Sequence, residues 1–108
     1  YTKKSVDYVS NINPPSFPDG LDIEVFSRQV LLKASKNCKN LNEREHVTTW
    51  MRNIENCSSF NFSYSSDLSN LRWTVDEISD LKVVENVVSH FGDTPNFSWR
   101  DILNLFEY

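Results

Sequence analysis

The sequence is poor in glycine and cysteine and has no long apolar run. Only two glycines occur among 108 residues, so the chain has no glycine-rich phosphate loop. No stretch approaches the roughly 20 consecutive apolar residues that a membrane-spanning helix needs, and no signal-peptide pattern opens the sequence. Cys38 and Cys57 lack CxxC spacing, which argues against a disulfide framework or a zinc site. We expect two reduced thiols in a cytoplasmic protein.

The sequence also lacks an excess of positive charge. Its formal net charge is -4, and no stripe of Lys and Arg gathers on one element, so we expect no nucleic-acid surface. A small basic cluster is followed at once by acidic residues, and we interpret it as the solvated end of a helix. The cluster consists of Lys33, Lys36 and Lys39.

Apolar residues are frequent enough for one folded domain. Hydrophobic residues make up 39% and aromatic residues 13% of the chain, and the aromatics are spread along its length, which argues against disorder. A length of 108 residues corresponds to a single domain. The sequence opens on "YTKKSVDYVSN" and not on Met, and we interpret it as a portion of a longer chain.

Four β-prone segments are predicted to be strands, over residues 6–11, 21–26, 59–65 and 71–76. The last three alternate strictly, so each places apolar side chains on one face and polar ones on the other. The predicted apolar faces consist of Leu21, Ile23 and Val25, of Phe60, Phe62 and Tyr64, and of Leu71, Trp73 and Val75. Asp22 and Glu24 would then share the opposite face of their strand.

Four helices are predicted from caps and apolar spacing. Ser27 is a suitable N-cap for the first. Asn42 and Glu45 resemble a capping box that opens a second helix with the stripe Val47, Trp50, Met51 and Ile54. A third carries Leu81, Val84, Val88 and Phe91 and ends at Gly92, before Pro95. Ser98 and Asp101 open the last, whose core side would hold Ile102, Leu103, Leu105 and Phe106. The order β-β-α-α-β-β-α-α predicts an α/β or α+β fold in which helices pack on a sheet.

Asp76 stands at the end of a predicted strand and directly before a predicted helix. Ligands of open α/β sheets bind outside the carboxyl ends of strands, and a carboxylate there can hold Mg²⁺. Alternatively, Asp76 and Glu77 only complement the N-terminus of the following helix, where negative charge is stabilising. The residues alone leave both interpretations open. We interpret Asp80 as a complement to the helix dipole.

Other polar residues are also candidates, each with a plain alternative. Asp22 and Glu24 either line a cleft for a polyhydroxylated ligand or a cation, or face solvent from an edge strand. His46 falls in the first turn of the predicted second helix, where polar ligands commonly bind, although the spacing alone favours a surface role. His90 lies near a helix C-terminus, where its cationic form is favoured by the dipole, and we expect a structural or solvated role for it.

Three stretches in this order resemble the C-terminal half of the SpsF-like cytidylyltransferases, a spore coat polysaccharide biosynthesis group related to the CMP-sugar (acylneuraminate) synthetases. They are "FPDGLDIEVFS", "EREHVT" and "LRWTVDEISDL", and "VSN" and "FSWRDILNL" also fit. The resemblance runs from about Asp7 to about Glu107. It implies a nucleotide-diphospho-sugar transferase (GT-A-like) α/β fold, here with a mixed sheet of about four strands and about four helices.

The resemblance also implies an activity, a cofactor and site residues. The family transfers a nucleotidyl group, typically CMP from CTP, to a sugar or sugar acid, releases pyrophosphate and uses Mg²⁺. Asp76 matches the aspartate that related synthetases use to hold the metal. The sugar side of the cleft would contain Asp22, Glu24, Arg44, Glu45 and His46. A homodimer is a further expectation.

Two departures from the family pattern matter. The N-terminal half, which carries the nucleotide-binding loop and a second metal carboxylate, has no counterpart in this sequence, so we expect the isolated chain to be inactive. Ile78 stands where relatives often have Pro, which is favoured but not required at the first helical position. The alternatives are a glycosyltransferase of the same fold and a non-catalytic interaction or dimerisation domain, the latter favoured if Phe60, Phe62 and Tyr64 are exposed.

Overall fold

The computed structural model describes residues 6–46, 48–92, 94 and 96–106. Contacts along the chain divide it into two compact units, with unit 1 ending at Leu71 and unit 2 beginning at Arg72. Unit 1 contains the strands β1 (Tyr8–Ser10), β2 (Glu24–Phe26) and β3 (Ser59–Asn61), and the helices α1 (Arg28–Asn37), α2 (Leu41–Glu45) and α3 (Thr49–Arg52). Unit 2 contains the helices α4 (Ile78–Phe91) and α5 (Trp99–Leu105).

The sheet of unit 1 is mixed and has the strand order β2-β1-β3. The central strand β1 runs antiparallel to β2, with Tyr8 opposite Phe26, and parallel to β3, with Tyr8 opposite Ser59. All three residues of β1 are buried, as expected for the strand that has a neighbour on each side. The mixed α/β class is therefore confirmed, with three strands and five helices in the described residues, where about four of each were predicted.

The fourth predicted strand, over residues 71–76, is wrong. Leu71 is buried as predicted, but Val75 is 55% exposed, and no strand is assigned to this segment. A strand requires backbone N–H groups paired with a neighbouring strand, whereas the N–H of Asp76 donates to the Asp80 carboxylate at 3.0 Å. The segment is therefore tied to the start of α4, and its alternating pattern does not produce a ladder.

The predicted faces of β2 are also wrong. Ile23 and Val25 are 50% and 40% exposed, whereas the Glu24 side chain retains only 24% of its accessible surface. Glu24 accepts a hydrogen bond from the Tyr8 hydroxyl and pairs with the Arg52 guanidinium at 3.5 Å. Because a partly buried carboxylate is tolerated when it is paired, these two partners hold Glu24 inward and leave its apolar neighbours outside.

The third predicted strand is shorter than expected, since β3 ends at Asn61. Phe62 still donates its N–H to the Ser10 carbonyl at 2.9 Å, after which the chain leaves the sheet. Phe62 and Tyr64 then contact the ring of Phe17, with centroids 5.9 and 5.4 Å apart. Both side chains are half-buried, and Phe60 is 42% exposed. The aromatic set is thus largely packed within unit 1.

The hydrophobic core of unit 1 lies between the sheet and the helices α1 and α3. Its members are Tyr8, Val30, Ala34, Met51 and Cys57, with Phe26, Cys38 and Trp50 packed against them. Burial raises the pKa of the Cys57 thiol. Both Cys38 and Cys57 are free thiols, as predicted.

Ser27 caps α1 as predicted, because its hydroxyl accepts a hydrogen bond from the N–H of Val30 at 3.2 Å. The predicted capping box at Asn42 is wrong. The N-cap of α2 is Asn40, whose side chain accepts from the N–H of Glu43 at 2.8 Å and donates to the Glu43 carboxylate at 2.9 Å. The side chains of Asn40 and Glu43 therefore satisfy one another and start the helix two residues earlier.

The single helix predicted from Asn42 to Ile54 is divided into α2 and α3. His46 is the C-cap of α2, so it lies at the end of a helix and not in a first turn. Met51 is fully buried as predicted, but Ile54 is 82% exposed. Val47, another predicted member of this stripe, lies outside the described residues.

Both helices of unit 2 begin with capping boxes. The predicted Ser98 and Asp101 box is present at the start of α5, and Leu103 is buried. The helix α4 ends at Gly92, whose φ of 49° suits glycine, as predicted. Its predicted apolar stripe is poorly buried, since Leu81 and Val88 are 45% and 60% exposed.

The side chains of Phe91 and Phe97 stack within unit 2, with ring centroids 4.4 Å apart. Pro95, predicted to stop α4 from resuming, lies outside the described residues. Among the described helices, none is long and apolar enough to cross a membrane.

Candidate functional site

Three charged side chains converge at the N-terminus of α4. The guanidinium of Arg72 donates from Nε to Asp80 Oδ1 at 2.9 Å and from Nη2 to Asp76 Oδ2 at 3.0 Å. The second oxygen of Asp80, Oδ2, accepts the backbone N–H groups of Asp76 at 3.0 Å and Glu77 at 2.9 Å. We call Arg72, Asp76 and Asp80 the charged cluster. It contains the predicted metal ligand and fixes both its side chain and its backbone.

The capping box of α4 explains why the chain folds this way locally. Glu77 is the N-cap and Asp80 is the third residue of the helix, and the Asp80 side chain accepts a hydrogen bond from the backbone N–H of Glu77 at 2.9 Å. A backbone donor that would otherwise be left without a partner at the helix start is thereby satisfied. The interpretation of Asp80 as a complement to the helix N-terminus agrees with this geometry, which adds an ion pair to Arg72.

The members of the charged cluster differ sharply in exposure. The Asp80 side chain is 6% exposed, whereas those of Arg72 and Asp76 are 47% and 70% exposed. The hydrogen bond from Arg72 and those from the backbone of Asp76 and Glu77 lower the pKa of the Asp80 carboxyl to about 2. Asp80 is therefore an anion whose two oxygens are both occupied, and Asp76 is the carboxylate that faces solvent.

The chemistry of Asp76 fits a single protein ligand for Mg²⁺. Its Oδ2 accepts from Arg72, and no hydrogen bond is assigned to its Oδ1 within the described part of the chain. Mg²⁺ in proteins is commonly held by one or two carboxylates together with waters and substrate phosphates. The described residues contain no group of three or more His, Cys, Asp and Glu side chains able to hold a metal ion. A complete protein cage is thus absent from this part of the chain, but one ligand is available.

Asp22 lines a cavity of unit 1 with a volume of about 330 Å³. The polar residues at its wall include Asp19, Asp22 and Ser69, and Phe17 supplies an apolar surface. Carboxylates and hydroxyls are acceptors for the hydroxyl groups of a ligand, so the composition of the wall suits a polyhydroxylated molecule. Asn11 also borders the cavity, but its amide is committed to the backbone of Leu21 and Ile23.

Glu24 lies elsewhere in unit 1. Its carboxylate is engaged by Tyr8 and Arg52, and it is not among the described residues that border the Asp22 cavity. Burial raises the pKa of the Tyr8 hydroxyl, and the hydrogen bond to Glu24 raises it further. The two neighbouring carboxylates therefore occupy different surroundings, and one of them has a clear structural partner.

Arg44 borders a second cavity of unit 1, with a volume of about 370 Å³. The wall is mainly apolar, with Leu31, Leu32 and Cys38 on it, and Arg44 itself donates from Nη1 to the Ser35 carbonyl at 3.4 Å. Glu45 and His46 are exposed on the surface. The predicted sugar-side residues of unit 1 are thus divided between two cavities and the surface. Asp76 belongs to unit 2.

Sequence reasoning did not find the partnership of Arg72 and Asp80 with Asp76. A local signal was present, since Arg72, Asp76 and Asp80 follow one another at intervals of four residues. That spacing indicates a shared face only on a helix, and this segment was predicted to be a strand up to Asp76. His90, expected to be structural or solvated, is exposed. Its ring packs edge-on against that of Phe91, with the ring centroids 4.8 Å apart.

Comparisons with known proteins give three findings. No protein-family model matches the chain. The chain is 34% identical over 110 residues to an uncharacterized protein of Methanocaldococcus jannaschii, an alignment that covers 97% of this chain and 43% of that protein. The chain therefore spans less than half the length of this relative.

A solved structure is similar over nearly the whole chain. It is a cytidylyltransferase from Leptospira borgpetersenii serovar Hardjo-bovis, which superposes with a TM-score of 0.88 at 28% sequence identity and covers 98% of this chain and 44% of its own. This likeness supports the predicted resemblance to cytidylyltransferases as a broad class. The chain therefore shares the fold of less than half of a cytidylyltransferase.

Proposed function

We propose that this chain is the metal-binding and sugar-binding portion of a cytidylyltransferase of the SpsF-like type. The full-length protein would make a CMP-activated sugar from CTP and a sugar or sugar acid for surface polysaccharide biosynthesis. The observation that carries this proposal is the likeness to a cytidylyltransferase structure over 98% of the chain. The motifs "LRWTVDEISDL", "EREHVT" and "FPDGLDIEVFS" support it independently.

In the proposed reaction, a sugar hydroxyl attacks the α-phosphorus of CTP. A bond forms between the sugar oxygen and the phosphorus, the bond to the β-phosphate oxygen breaks, and pyrophosphate leaves while the hydroxyl loses its proton. Bound Mg²⁺ would neutralise phosphate charge, and Asp76 is the residue of this chain that would hold it. Positioning of the two substrates would supply much of the remaining rate enhancement.

The sugar side is assigned to unit 1. Asp22 would accept hydrogen bonds from sugar hydroxyls in its cavity of about 330 Å³. Arg44, Glu45 and His46 are proposed as further contacts from the end of α2. The role proposed for Glu24 is indirect, because its carboxylate is already engaged by Tyr8 and Arg52, and it would support the position of β2.

The reaction class is tested by product analysis of the full-length protein with CTP, Mg²⁺ and a panel of neutral sugars, amino sugars and sugar acids. We expect pyrophosphate release together with a CMP-sugar of matching mass for one class of acceptor. The same protein should not consume a preformed sugar nucleotide. Transfer of sugar from such a donor, without pyrophosphate release, would replace the proposal with a glycosyltransferase of the same fold.

The isolated 108-residue chain is expected not to turn over CTP, because it has no glycine-rich phosphate loop. Pyrophosphate release from CTP by this chain alone would contradict the division of roles proposed above. Unlabelled CTP and a coupled pyrophosphate assay are sufficient for this comparison.

A non-catalytic association role is a second candidate, favoured by the surface of α4. Ile78, Leu81 and Val88 are 79%, 45% and 60% exposed, and an exposed apolar group on one helix is typical of a protein contact. A homodimer is the form of association that we propose for this role. Light scattering of the chain across a range of concentrations tests it, since a monomer at all concentrations would remove this candidate.

A further inference from the structure

We infer that Arg72, held by Asp80, is a positioning residue that fixes the orientation of the Asp76 carboxylate. The inference rests on the proposed metal-binding function of Asp76 and adds to it two residues that act through Asp76.

Asp76 would be poorly ordered without a partner. Its side chain is 70% exposed, and an exposed short side chain exchanges between rotamers on a fast timescale. A ligand that must adopt one orientation when the metal arrives loses that freedom on binding, and the loss weakens affinity. A residue that holds the carboxylate beforehand therefore strengthens metal binding.

Arg72 supplies this restraint through one guanidinium group. Its Nη2 holds Asp76 Oδ2 at 3.0 Å, while its Nε is anchored to Asp80 Oδ1 at 2.9 Å. Asp80 is 6% exposed, so the anchor is a fixed point of unit 2. Because the guanidinium is planar and rigid, fixing Nε also fixes Nη2 and with it the Asp76 oxygen.

Asp80 restrains the backbone of Asp76 as well. Its Oδ2 accepts the N–H groups of Asp76 and Glu77 at 3.0 and 2.9 Å, so the Cα of Asp76 cannot shift without breaking these bonds. Arg72 and Asp80 together hold both ends of the Asp76 side chain. Within the described residues Oδ2 of Asp76 is the oxygen that Arg72 occupies, so we assign the metal contact to Oδ1.

The positive charge of Arg72 opposes a divalent cation, while its geometry favours one. The two effects are separated by Arg72→Lys, which keeps the charge but has a single ammonium group that cannot reproduce the rigid two-point contact. Partners that orient a metal ligand typically contribute a factor of 10–100 in metal affinity. We therefore expect Arg72→Lys to weaken the binding of Mn²⁺, used as a paramagnetic substitute for Mg²⁺, by roughly tenfold.

The experiment uses NMR spectroscopy of the 108-residue chain. Three-bond couplings from the backbone nitrogen and carbonyl carbon to Cγ of Asp76 report its χ1 angle without any metal. We expect a single rotamer in the unsubstituted chain and averaged couplings in Arg72→Lys. Arg28→Lys is the matched control, since Arg28 is exposed at the start of α1, and it should leave both the couplings and Mn²⁺ binding unchanged.

The outcomes distinguish this inference from the proposed function. Averaged couplings of Asp76 in the unsubstituted chain, or a single rotamer that persists in Arg72→Lys, would overturn the positioning role. If Mn²⁺ does not broaden the amide signals of Asp76 and Glu77 in the unsubstituted chain, the metal role of Asp76 fails, and the couplings still decide whether Arg72 positions it. If Mn²⁺ does bind, equal affinity for the unsubstituted chain and for Arg72→Lys would also overturn the inference.

Discussion

Thr74 buries a hydroxyl oxygen that has no hydrogen-bond partner among the described residues. A buried polar group without a partner costs free energy because its bonds to water are lost on folding. Thr74 stands between Arg72 and Asp76, whose side chains pair with each other instead of with the hydroxyl. The Thr74 hydroxyl therefore lowers the stability of this segment, although the neighbouring side chains of the charged cluster are paired.

Thr74→Val is expected to stabilise the chain by about 1 kcal/mol. Valine has nearly the same shape and removes the oxygen that lacks a partner. Urea unfolding followed by circular dichroism measures the free energy of unfolding. Thr94→Val is the matched control, because the Thr94 hydroxyl donates to the Phe91 carbonyl at 2.6 Å and its loss should destabilise. A Thr74→Val chain that is clearly less stable than the original would contradict this account.

Asp80 makes stability depend on pH in acid. Its carboxyl has an ordinary pKa of 3.8 that folding lowers to about 2, so the folded chain binds this proton less tightly than the unfolded chain does. The stabilisation is complete above the ordinary value and is lost as the pH falls through about 4 towards 2. We expect the unfolding midpoint in urea to fall over this window.

Carbon-13 NMR of the Asp80 carboxyl tests the same prediction directly, because the signal should titrate near pH 2 in the folded chain. In Asp80→Asn, the part of the loss of stability in acid that arises from the Asp80 carboxyl should disappear. A carboxyl that titrates near its ordinary value would contradict the hydrogen-bond pattern of the charged cluster.

Among the secondary-structure elements, α3 is shorter than the helix that the apolar spacing predicted. The spacing of Met51 and Ile54 predicted that both would be buried, but Met51 is fully buried and Ile54 is 82% exposed. The helix ends at Arg52, so Ile54 no longer lies on the face that the spacing assumed.

Met51→Ala is expected to cost about 2–5 kcal/mol of unfolding free energy, because it removes core contacts and leaves a cavity. Ile54→Ala, three residues further on, should change stability by less than about 0.5 kcal/mol. Chemical denaturation of the two variants under identical conditions provides the comparison. Similar losses of unfolding free energy in both variants would contradict this account and would support the single long helix that the sequence predicted.

Local signals in the sequence predicted the helix starts well where the cap and its partner are close together. Ser27 and Ser98 act within three residues of themselves, so their roles could be predicted. The faces of β2 could not, because Glu24 is held inward by Tyr8 and Arg52, which lie 16 and 28 residues away. Alternation describes a strand only when no distant partner captures its polar side chains.

At the scale of the whole molecule, the mixed α/β class was predictable, and the number of strands was not. The order of elements predicted a sheet with helices, but residues 71–76 join the start of α4 through the Asp80 carboxylate and do not form a strand. The position of Asp76 before that helix was predicted from local order. Its partners were not, because the ion pairs depend on the folded path of the chain.

The central claim is that this chain contributes a metal-binding carboxylate to a cytidylyltransferase. The most direct measurement is Mg²⁺-dependent pyrophosphate release from CTP by the full-length protein carrying Asp76→Ala, with Glu85→Ala, an exposed substitution on α4, as control. We predict a loss of roughly 100-fold or more for Asp76→Ala, since a metal ligand supports charge stabilisation worth several kcal/mol, and no change for Glu85→Ala. Full activity in Asp76→Ala would contradict the claim.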